Sequence, residues 1–153
     1  MADSFDSLGF LIADVARMMR RAFQARFDGG PVTYEQARAL VYLAREQGLR
    51  QVDLAERLEI QPITLARIVD RLAEAGLVER RADPSDRRAY RLYLTAAAEP
   101  LIARIRAVGL AVRSDALAGM SARDAARAVE LLGRMRDALG SPRRDPRDGG
   151  PPG

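Results

Sequence analysis

With 153 residues, the chain is long enough for one domain with a buried core or for one subunit of an intertwined assembly. It contains no cysteine and no histidine, which excludes disulfides, thiol redox sensors, the usual zinc sites and the commonest general base. The net charge is +4 with 21 acidic residues, so any basic surface must come from local clustering. Neither a signal peptide nor an apolar run of membrane-spanning length is present, so we expect a cytoplasmic protein with no membrane partner.

Two amphipathic helices are predicted at the start of the chain. The first covers residues 5–27, because apolar residues recur at alternating three- and four-residue steps. Its apolar stripe consists of Phe5, Leu8, Ile12, Val15, Met19, Ala22 and Phe23. The second helix runs from Thr33 to about Glu46, since Thr33 and Gln36 fit a capping box. Residues 28–31, Asp-Gly-Gly-Pro, separate the two helices.

The middle of the chain predicts a short helix, a tight turn and a longer helix. The short helix is Gln51–Leu58, with Val52, Leu54, Ala55 and Leu58 expected to point inward. The longer helix covers about residues 62–75, because Pro62 suits a first helical turn and Gly76 suits a C-cap. Its outward residues are expected to be Ile63, Thr64, Arg67, Asp70, Arg71 and Glu74.

A basic hairpin is predicted after this helix. Leu77-Val78 and Tyr90–Leu94 are expected to form short strands, joined by a turn at Asp83–Asp86. Five arginines crowd the hairpin, namely Arg80, Arg81, Arg87, Arg88 and Arg91. Two helices followed by a basic hairpin are typical of a winged helix-turn-helix. We therefore predict a mainly α fold with a small β-hairpin wing.

Two further helices are predicted beyond the wing. Thr95 is expected to cap the first, which runs to about Leu117 and should bend or start late at Pro100. The second begins with a capping box at Ser121–Asp124 and runs to residue 139. Residues 141–153 have no apolar periodicity and are expected to be disordered. The apolar stripes at both chain ends exceed what one winged module can cover, which predicts a two-fold homodimer.

The resemblance to a known family rests on the middle of the chain. The segments QVDLAERLEI and TLARIVDRLAEAGLVERRADPSDRRAYRLYLT resemble the DNA-binding core of MarR-family regulators. The segments AAAEPLIARIR and LAGMSARDAARAVELL are similar to the SlyA branch, and the whole match covers residues 7–139. It implies a DNA-binding transcriptional regulator, either a repressor or a counter-silencer, and the predicted two-fold dimer implies a palindromic double-stranded DNA site. The single unit at 1–140 would hold a winged helix-turn-helix at about 33–95 and dimerisation helices at about 5–28 and 96–139.

The predicted DNA-binding residues lie on the longer helix and the wing. They are Pro62, Ile63, Thr64, Arg67, Arg71, Arg87 and Arg88. Arg67 matches a DNA-contacting arginine of the SlyA pattern and could bind guanine, although an ion pair within the helix is the alternative. For Arg71 we favour such a pair, with Glu74. One of Arg87 and Arg88 is expected to hold the wing to Asp70 or Asp86, and the other to contact DNA; the sequence does not choose between them.

The resemblance also implies a site for a small aromatic carboxylate between the DNA-binding lobe and the dimerisation helices. The matching positions are Arg17, Met18, Arg21, Ala37, Arg38 and Val41. Arg17 or Arg38 could pair with the carboxylate. Ordinary core and surface roles are the alternative for all six residues. Ala37 replaces a tryptophan of the SlyA branch, so either the pocket is wider or its compounds differ.

Two other function classes were weighed against DNA binding. An enzyme is not expected, because the chain offers no glycine-rich phosphate loop, no metal-ligand cluster and only scattered carboxylates. For the same reasons we expect neither a metal nor a cofactor. The alternative is a winged-helix module for protein–protein interaction without specific DNA binding. Such a module would not need a wing so rich in arginine.

Overall fold

The computed structural model describes residues 7–140. These residues form two compact units, one ending at Ser114 and the other beginning at Asp115. The fold is mostly helical with one small antiparallel sheet, so the predicted fold class is confirmed. No helix within the described range is long and apolar enough to cross a membrane.

Among residues 7–140, six α-helices follow the predicted pattern closely. They are α1 (Leu8–Phe27), α2 (Tyr34–Arg45), α3 (Gln51–Leu58), α4 (Pro62–Glu74), α5 (Glu99–Ala116) and α6 (Ala122–Gly140). Phe5, at the predicted start of the first helix, and the predicted disordered tail at 141–153 lie outside the described residues.

Side-chain caps fix two helix starts, one through the complete capping box that was predicted and the other through half of one. The Thr33 hydroxyl accepts from the Gln36 amide at 3.2 Å, and the Gln36 side-chain oxygen accepts from the Thr33 amide at 2.9 Å. This reciprocal pair is a complete capping box for α2. At α6, Ser121 accepts from the Asp124 amide at 3.1 Å, but the Asp124 carboxylate accepts from the Ser121 hydroxyl and not from its amide.

Thr95 and Pro100 show how α5 begins. The prediction that Thr95 caps this helix through its side chain is wrong, because its hydroxyl donates to the Gly76 carbonyl at 2.6 Å. A short 3₁₀ turn at Ala96–Ala98 precedes α5 instead. Pro100 therefore sits in the first turn of a helix that starts late, where its missing N–H removes no helical hydrogen bond.

The sheet has three strands in the order β1-β3-β2, with β1 at Leu49–Arg50, β2 at Val78–Asp83 and β3 at Asp86–Leu94. The predicted strands were too short, since regular pairing runs from Val78–Leu94 to Ala82–Tyr90 and, after a shift in register, Asp83 pairs with Asp86. The turn is therefore the two-residue Pro84–Ser85. Strand β1 was not predicted, because two residues carry no periodic signal; it is held by pairing with β3.

The core lies between α2, α3, α4 and the sheet. Its most deeply buried side chains are Leu40, Leu43, Leu54, Leu65, Val69, Leu72 and Leu92. Val52 departs from the prediction: it was expected to point inward but is 63% exposed on α3. In α1 only Phe27 is buried, and no residue of α6 is buried. The apolar stripe of α6 and the first half of that of α1 thus remain exposed, whereas Ile105 and Val112 of the predicted α5 stripe are buried within the chain.

Candidate nucleic-acid interface

Helix α4 is presented by a tight connection from α3. Glu59 adopts a left-handed conformation with φ of 54°, which ends α3 and turns the chain sharply. Pro62 then occupies the first position of α4, where its fixed φ suits the helix and its missing N–H leaves nothing unpaired. Leu65, Val69 and Leu72 anchor the inner side of α4 in the core, which leaves the opposite side for a partner.

The outer side of α4 carries the predicted base-reading residues. Pro62, Ile63, Thr64, Arg67 and Arg71 are all exposed. Within the described chain, Arg67 makes no side-chain hydrogen bond or ion pair. Arg71, in contrast, forms an ion pair with Glu74, with 3.8 Å between its Nη1 and the Glu74 Oε2. The structure therefore contains the ion pair favoured for Arg71 and lacks the alternative pair considered for Arg67.

Arg87 and Arg88 lie at the start of β3, directly after the turn of the wing. Both are exposed. The Arg88 amide donates to the Asp86 carboxylate at 3.0 Å. Neither guanidinium group has a hydrogen-bonding or ionic partner among residues 7–140. Both cations are thus available to an external anion.

The residue that holds the wing to α4 is Arg80. Its guanidinium donates to the Asp70 carboxylate at 2.5 Å and to the Gln51 side-chain oxygen at 3.4 Å. The prediction that Arg87 or Arg88 would hold the wing is therefore wrong. Arg80 could not be recognised because the predicted first strand ended before it, so its facing toward α4 was unknown.

A second missed feature is a buried ionic cluster around Asp83. The Asp83 side chain is inaccessible to solvent. It accepts from the amide and hydroxyl of Ser85 at 2.9 and 2.7 Å, and from Arg50 and Arg91 at 2.8 and 3.1 Å. The Ser85 amide and hydroxyl, followed by Arg50, lower the pKa of Asp83 to about 2 against the opposing effect of burial.

Arg81 is a further wing arginine with partners inside the protein. It forms an ion pair with Glu79 on the same strand. Its guanidinium also lies over the Tyr93 ring, 4.1 Å from the centroid, in a cation–π contact. The wing thus contains two kinds of arginine. Some are paired with other groups of the protein, whereas Arg87 and Arg88 are unpaired among residues 7–140.

Comparison with known proteins agrees with a winged helix-turn-helix. The family model described as MarR family matches residues 32–90. The crystal structure of transcriptional regulator PA3341 is 34% identical with a TM-score of 0.75, and the match covers 87% of this chain and 98% of that chain. The chain belongs to the MarR family. It is thereby a winged-helix protein of a family of DNA-binding transcriptional regulators, which are not enzymes.

Two more solved structures are similar to this MarR-family chain. A crystal structure of MarR is 25% identical with a TM-score of 0.81, covering 91% of this chain and 95% of that one. The transcriptional regulator SlyA is 26% identical with a TM-score of 0.71, covering 84% of this chain and 91% of that one. The resemblance read from the sequence is confirmed at the level of the family.

The MarR-family chain also has an open groove between α1, α2 and α5, with a volume of about 550 Å³. Three of the six residues predicted for a ligand site, Ala37, Arg38 and Val41, line it. The other predicted ligand residues, Arg17, Met18 and Arg21, do not. Arg17 instead pairs with Asp14 at 2.9 Å. Lining residues that were not predicted are Phe23, Tyr34, Tyr42, Arg45, Ile105, Arg106, Gly109 and Leu110.

The chemistry of the groove is cationic and aromatic. Arg38, Arg45 and Arg106 contribute positive charge, while no carboxylate is among its lining residues. Of the two arginines predicted to pair with a carboxylate, only Arg38 lines the groove, and α5 contributes a further cation, Arg106. A signal for this was present in the basic positions of α5, which recur beside its apolar stripe.

Proposed function

We propose that this protein is a homodimer that binds a palindromic double-stranded DNA operator in a sequence-specific way. Helix α4 would enter the major groove, and the wing formed by β2 and β3 would lie at the minor groove or the backbone. In this proposal Pro62, Ile63, Thr64, Arg67, Arg71, Arg87 and Arg88 contact DNA. We place the protein in the cytoplasm and in the SlyA-like branch, acting as a repressor or a counter-silencer.

One observation carries the DNA-binding proposal. Four of the seven arginines in α4 and the wing have carboxylate partners: Arg71, Arg80, Arg81 and Arg91. The other three, Arg67, Arg87 and Arg88, have none in the part of the chain that the structure describes. Binding DNA through these three breaks no existing ion pair, so their full charge is available to phosphates and base edges.

The exposed surface of α4 also suits base recognition. Ile63 is 65% exposed at the N-terminal end of the helix, which is the end that approaches base edges in helix-turn-helix proteins. An apolar side chain there can contact the methyl group of thymine, while Arg67 one turn later can bind guanine through two hydrogen bonds. Because Ile63 and Arg67 lie side by side, this surface suits an operator that contains both A·T and G·C base pairs.

The dimer part of the proposal is supported by uncovered apolar surface. In α1, Leu8, Leu11, Ile12 and Val15 are between 42% and 58% exposed. In α6, Val129, Leu132 and Leu139 are between 47% and 88% exposed. Contiguous apolar faces of this kind are rare on soluble monomers, so we propose that both helices pack against a second copy.

We further propose that a small aromatic anion binds the groove between α1, α2 and α5 and releases the DNA. Rings of Tyr34 and Tyr42 can pack on an aromatic compound, and Arg38 or Arg106 can pair with its carboxylate. BpsR of Bordetella bronchiseptica is described as regulated in its DNA binding by 6-hydroxynicotinic acid. At 21% identity that protein shares only the fold, so the compound is used here as a probe.

Calorimetry with 6-hydroxynicotinic acid and salicylate tests the ligand part. Binding is expected for the wild type and for Arg17→Ala, since Arg17 lies outside the groove. Arg106→Ala is expected to weaken it about tenfold or more, the usual effect of losing a charge-assisted hydrogen bond. Absence of heat up to millimolar concentration would remove this part and leave the DNA-binding proposal intact.

The DNA-binding proposal is tested by selecting duplexes from a random library with the full-length protein. A selected duplex and a scrambled duplex are then compared in mobility shifts at several salt concentrations. We expect affinity for the selected duplex to exceed that for the scrambled one by about a thousandfold or more. Equal binding to both, or none, would favour the alternative of a protein–protein interaction module.

A further inference from the structure

We propose that Asp83 is a positioning residue for DNA binding: it fixes the tip of the wing, and with it Arg87 and Arg88, relative to the helix-turn-helix. The proposal rests on the DNA-binding function proposed above. It assigns a specificity role to a side chain that does not itself face DNA, because the Asp83 carboxylate is fully enclosed by the protein.

One oxygen of Asp83 sets the conformation of the turn. Asp83 is the last residue of β2 and pairs with Asp86 across the two-residue turn. Its Oδ1 accepts from both the amide and the hydroxyl of Ser85. A side chain that accepts from the backbone two residues later imposes a defined turn. Arg87 follows Asp86 directly, so this turn determines where the two unpaired cations begin.

The other oxygen of Asp83 joins the turn to the rest of the module. Its Oδ2 accepts from the Nε of Arg50 and from the Nε of Arg91. Arg50 is the last residue of β1 and the residue that immediately precedes α3. Arg91 lies opposite Arg50 on β3 and also donates to the Gly48 carbonyl at 3.1 Å. A single carboxylate thus connects all three strands to the start of α3.

This connection fixes the wing tip relative to the recognition helix. Helix α3 packs directly on α4, and both contribute leucines to the same core. A two-stranded hairpin is only marginally stable on its own, so its tip can normally bend relative to its base. The Asp83 cluster restricts bending at the tip itself. Arg87 and Arg88 therefore keep a fixed position relative to the bases that α4 contacts.

The cluster also controls which arginines are available to DNA. The side chains of Arg50 and Arg91 are 36% and 38% exposed, so each would face solvent if Asp83 released it. With Asp83 ionised, one carboxylate holds both guanidinium groups and offsets one of their two positive charges. Its loss would therefore make the position of Arg87 and Arg88 less defined. It would also raise the local charge by one unit and release two guanidinium groups that can bind phosphate without regard to sequence.

Asp83→Asn separates these effects from simple loss of stability. Affinity for the selected duplex is expected to fall about tenfold or more, as when a groove contact is lost in each half-site. Affinity for the scrambled duplex is expected to stay equal or rise. The salt dependence on the scrambled duplex should steepen, by about 0.9 in the logarithmic slope for each additional phosphate contact. Partial unfolding would lower binding to both duplexes instead.

Two further variants complete the experiment. Glu79→Gln also removes one negative charge from β2, where Glu79 pairs with Arg81, but it leaves the Asp83 cluster intact. It should keep the wild-type ratio of the two affinities. Arg91→Lys keeps the charge but loses the two-sided contact with Asp83 and Gly48. It should lower the ratio without steepening the salt dependence, and it decides the question alone if Asp83→Asn does not fold.

The outcomes distinguish this inference from the proposal beneath it. A wild-type ratio in both Asp83→Asn and Arg91→Lys would overturn the positioning role and leave sequence-specific DNA binding in place. A wild-type protein that prefers no selected duplex would overturn the proposed function, and the role of Asp83 with it.

Discussion

At the scale of single residues, Arg67 and Arg88 are expected to serve DNA binding in different ways. Arg67→Ala should lose about 1–3 kcal/mol on the operator and much less on random DNA, because base-edge contacts carry the discrimination. If Arg88 chiefly neutralises phosphate, Arg88→Ala should weaken both kinds of DNA and flatten the salt slope by about one per contact, doubled in a symmetric dimer. Titrations of both duplexes measure these differences.

Arg134 in α6 provides the matched control for these two variants. It is exposed and lies on a proposed dimerisation helix, so Arg134→Ala should leave DNA affinity near that of the wild type. Operator binding by Arg67→Ala that equals the wild type would contradict the placement of α4 in the major groove.

The low pKa of Asp83 predicts a defined acid response. Asp83 is at about 2 in the folded protein, below its ordinary 3.8, so its contribution to stability is fully present above pH 4 and is lost as the pH falls toward 2. The gap in urea midpoint between wild type and Asp83→Asn should therefore shrink between pH 4 and pH 2. A constant gap would show that the low pKa is not coupled to folding.

The residue scale also marks the limit of sequence reasoning about the site. The exposed face of α4 could be predicted, because helical periodicity alone assigns Ile63, Thr64 and Arg67 to the side opposite the leucines. The partners of Asp70 and Asp83 could not. Their selection depends on the strand register, which puts Arg80 against α4 and Arg91 beside Arg50. Five similar arginines in one hairpin give no signal for which are internal.

At the scale of elements, the capping box at the start of α2 should be a measurable source of stability. Thr33→Ala removes the acceptor for the Gln36 amide and should lower the free energy of unfolding by about 1 kcal/mol. Urea unfolding measures this. Ser114→Ala is the control, because Ser114 is an exposed serine whose side chain makes no hydrogen bond in the described chain. Equal stability of Thr33→Ala and wild type would show that the helix start is fixed by packing alone.

Helices were predicted more accurately than strands for a physical reason. Helix ends carry local signals, such as the capping box at Thr33 and the glycine at Gly76, whose φ of 72° allows it to end α4. Strand β2 reads VERRAD, in which charged residues occupy both faces, so no alternation predicts its length. Its extent is set by pairing with β3 and by the Asp83 cluster, which are contacts between segments distant in sequence.

At the scale of the whole molecule, the main prediction is a dimer at micromolar concentration. Leu132→Arg in α6 should shift it toward monomer, because it places a charge within an apolar face that we propose is buried between subunits. Removal of residues 141–153 should leave the dimer unchanged, since that segment has no apolar stripe. Sedimentation velocity measures both. A wild type that stays monomeric at high micromolar concentration would contradict the proposed assembly.

The Arg80–Asp70 ion pair has a consequence for how this protein could acquire a new target. It ties a strand of the wing to the middle of α4 through side chains that need not change when the exposed positions do. Ile63, Thr64 and Arg67 are exposed, so they can be replaced without disturbing the packing of α4 in the core. Randomising these three codons in a library, with Arg80 and Asp70 held constant, should therefore yield folded proteins whose preferred DNA sequences differ while the spacing of their half-sites stays the same.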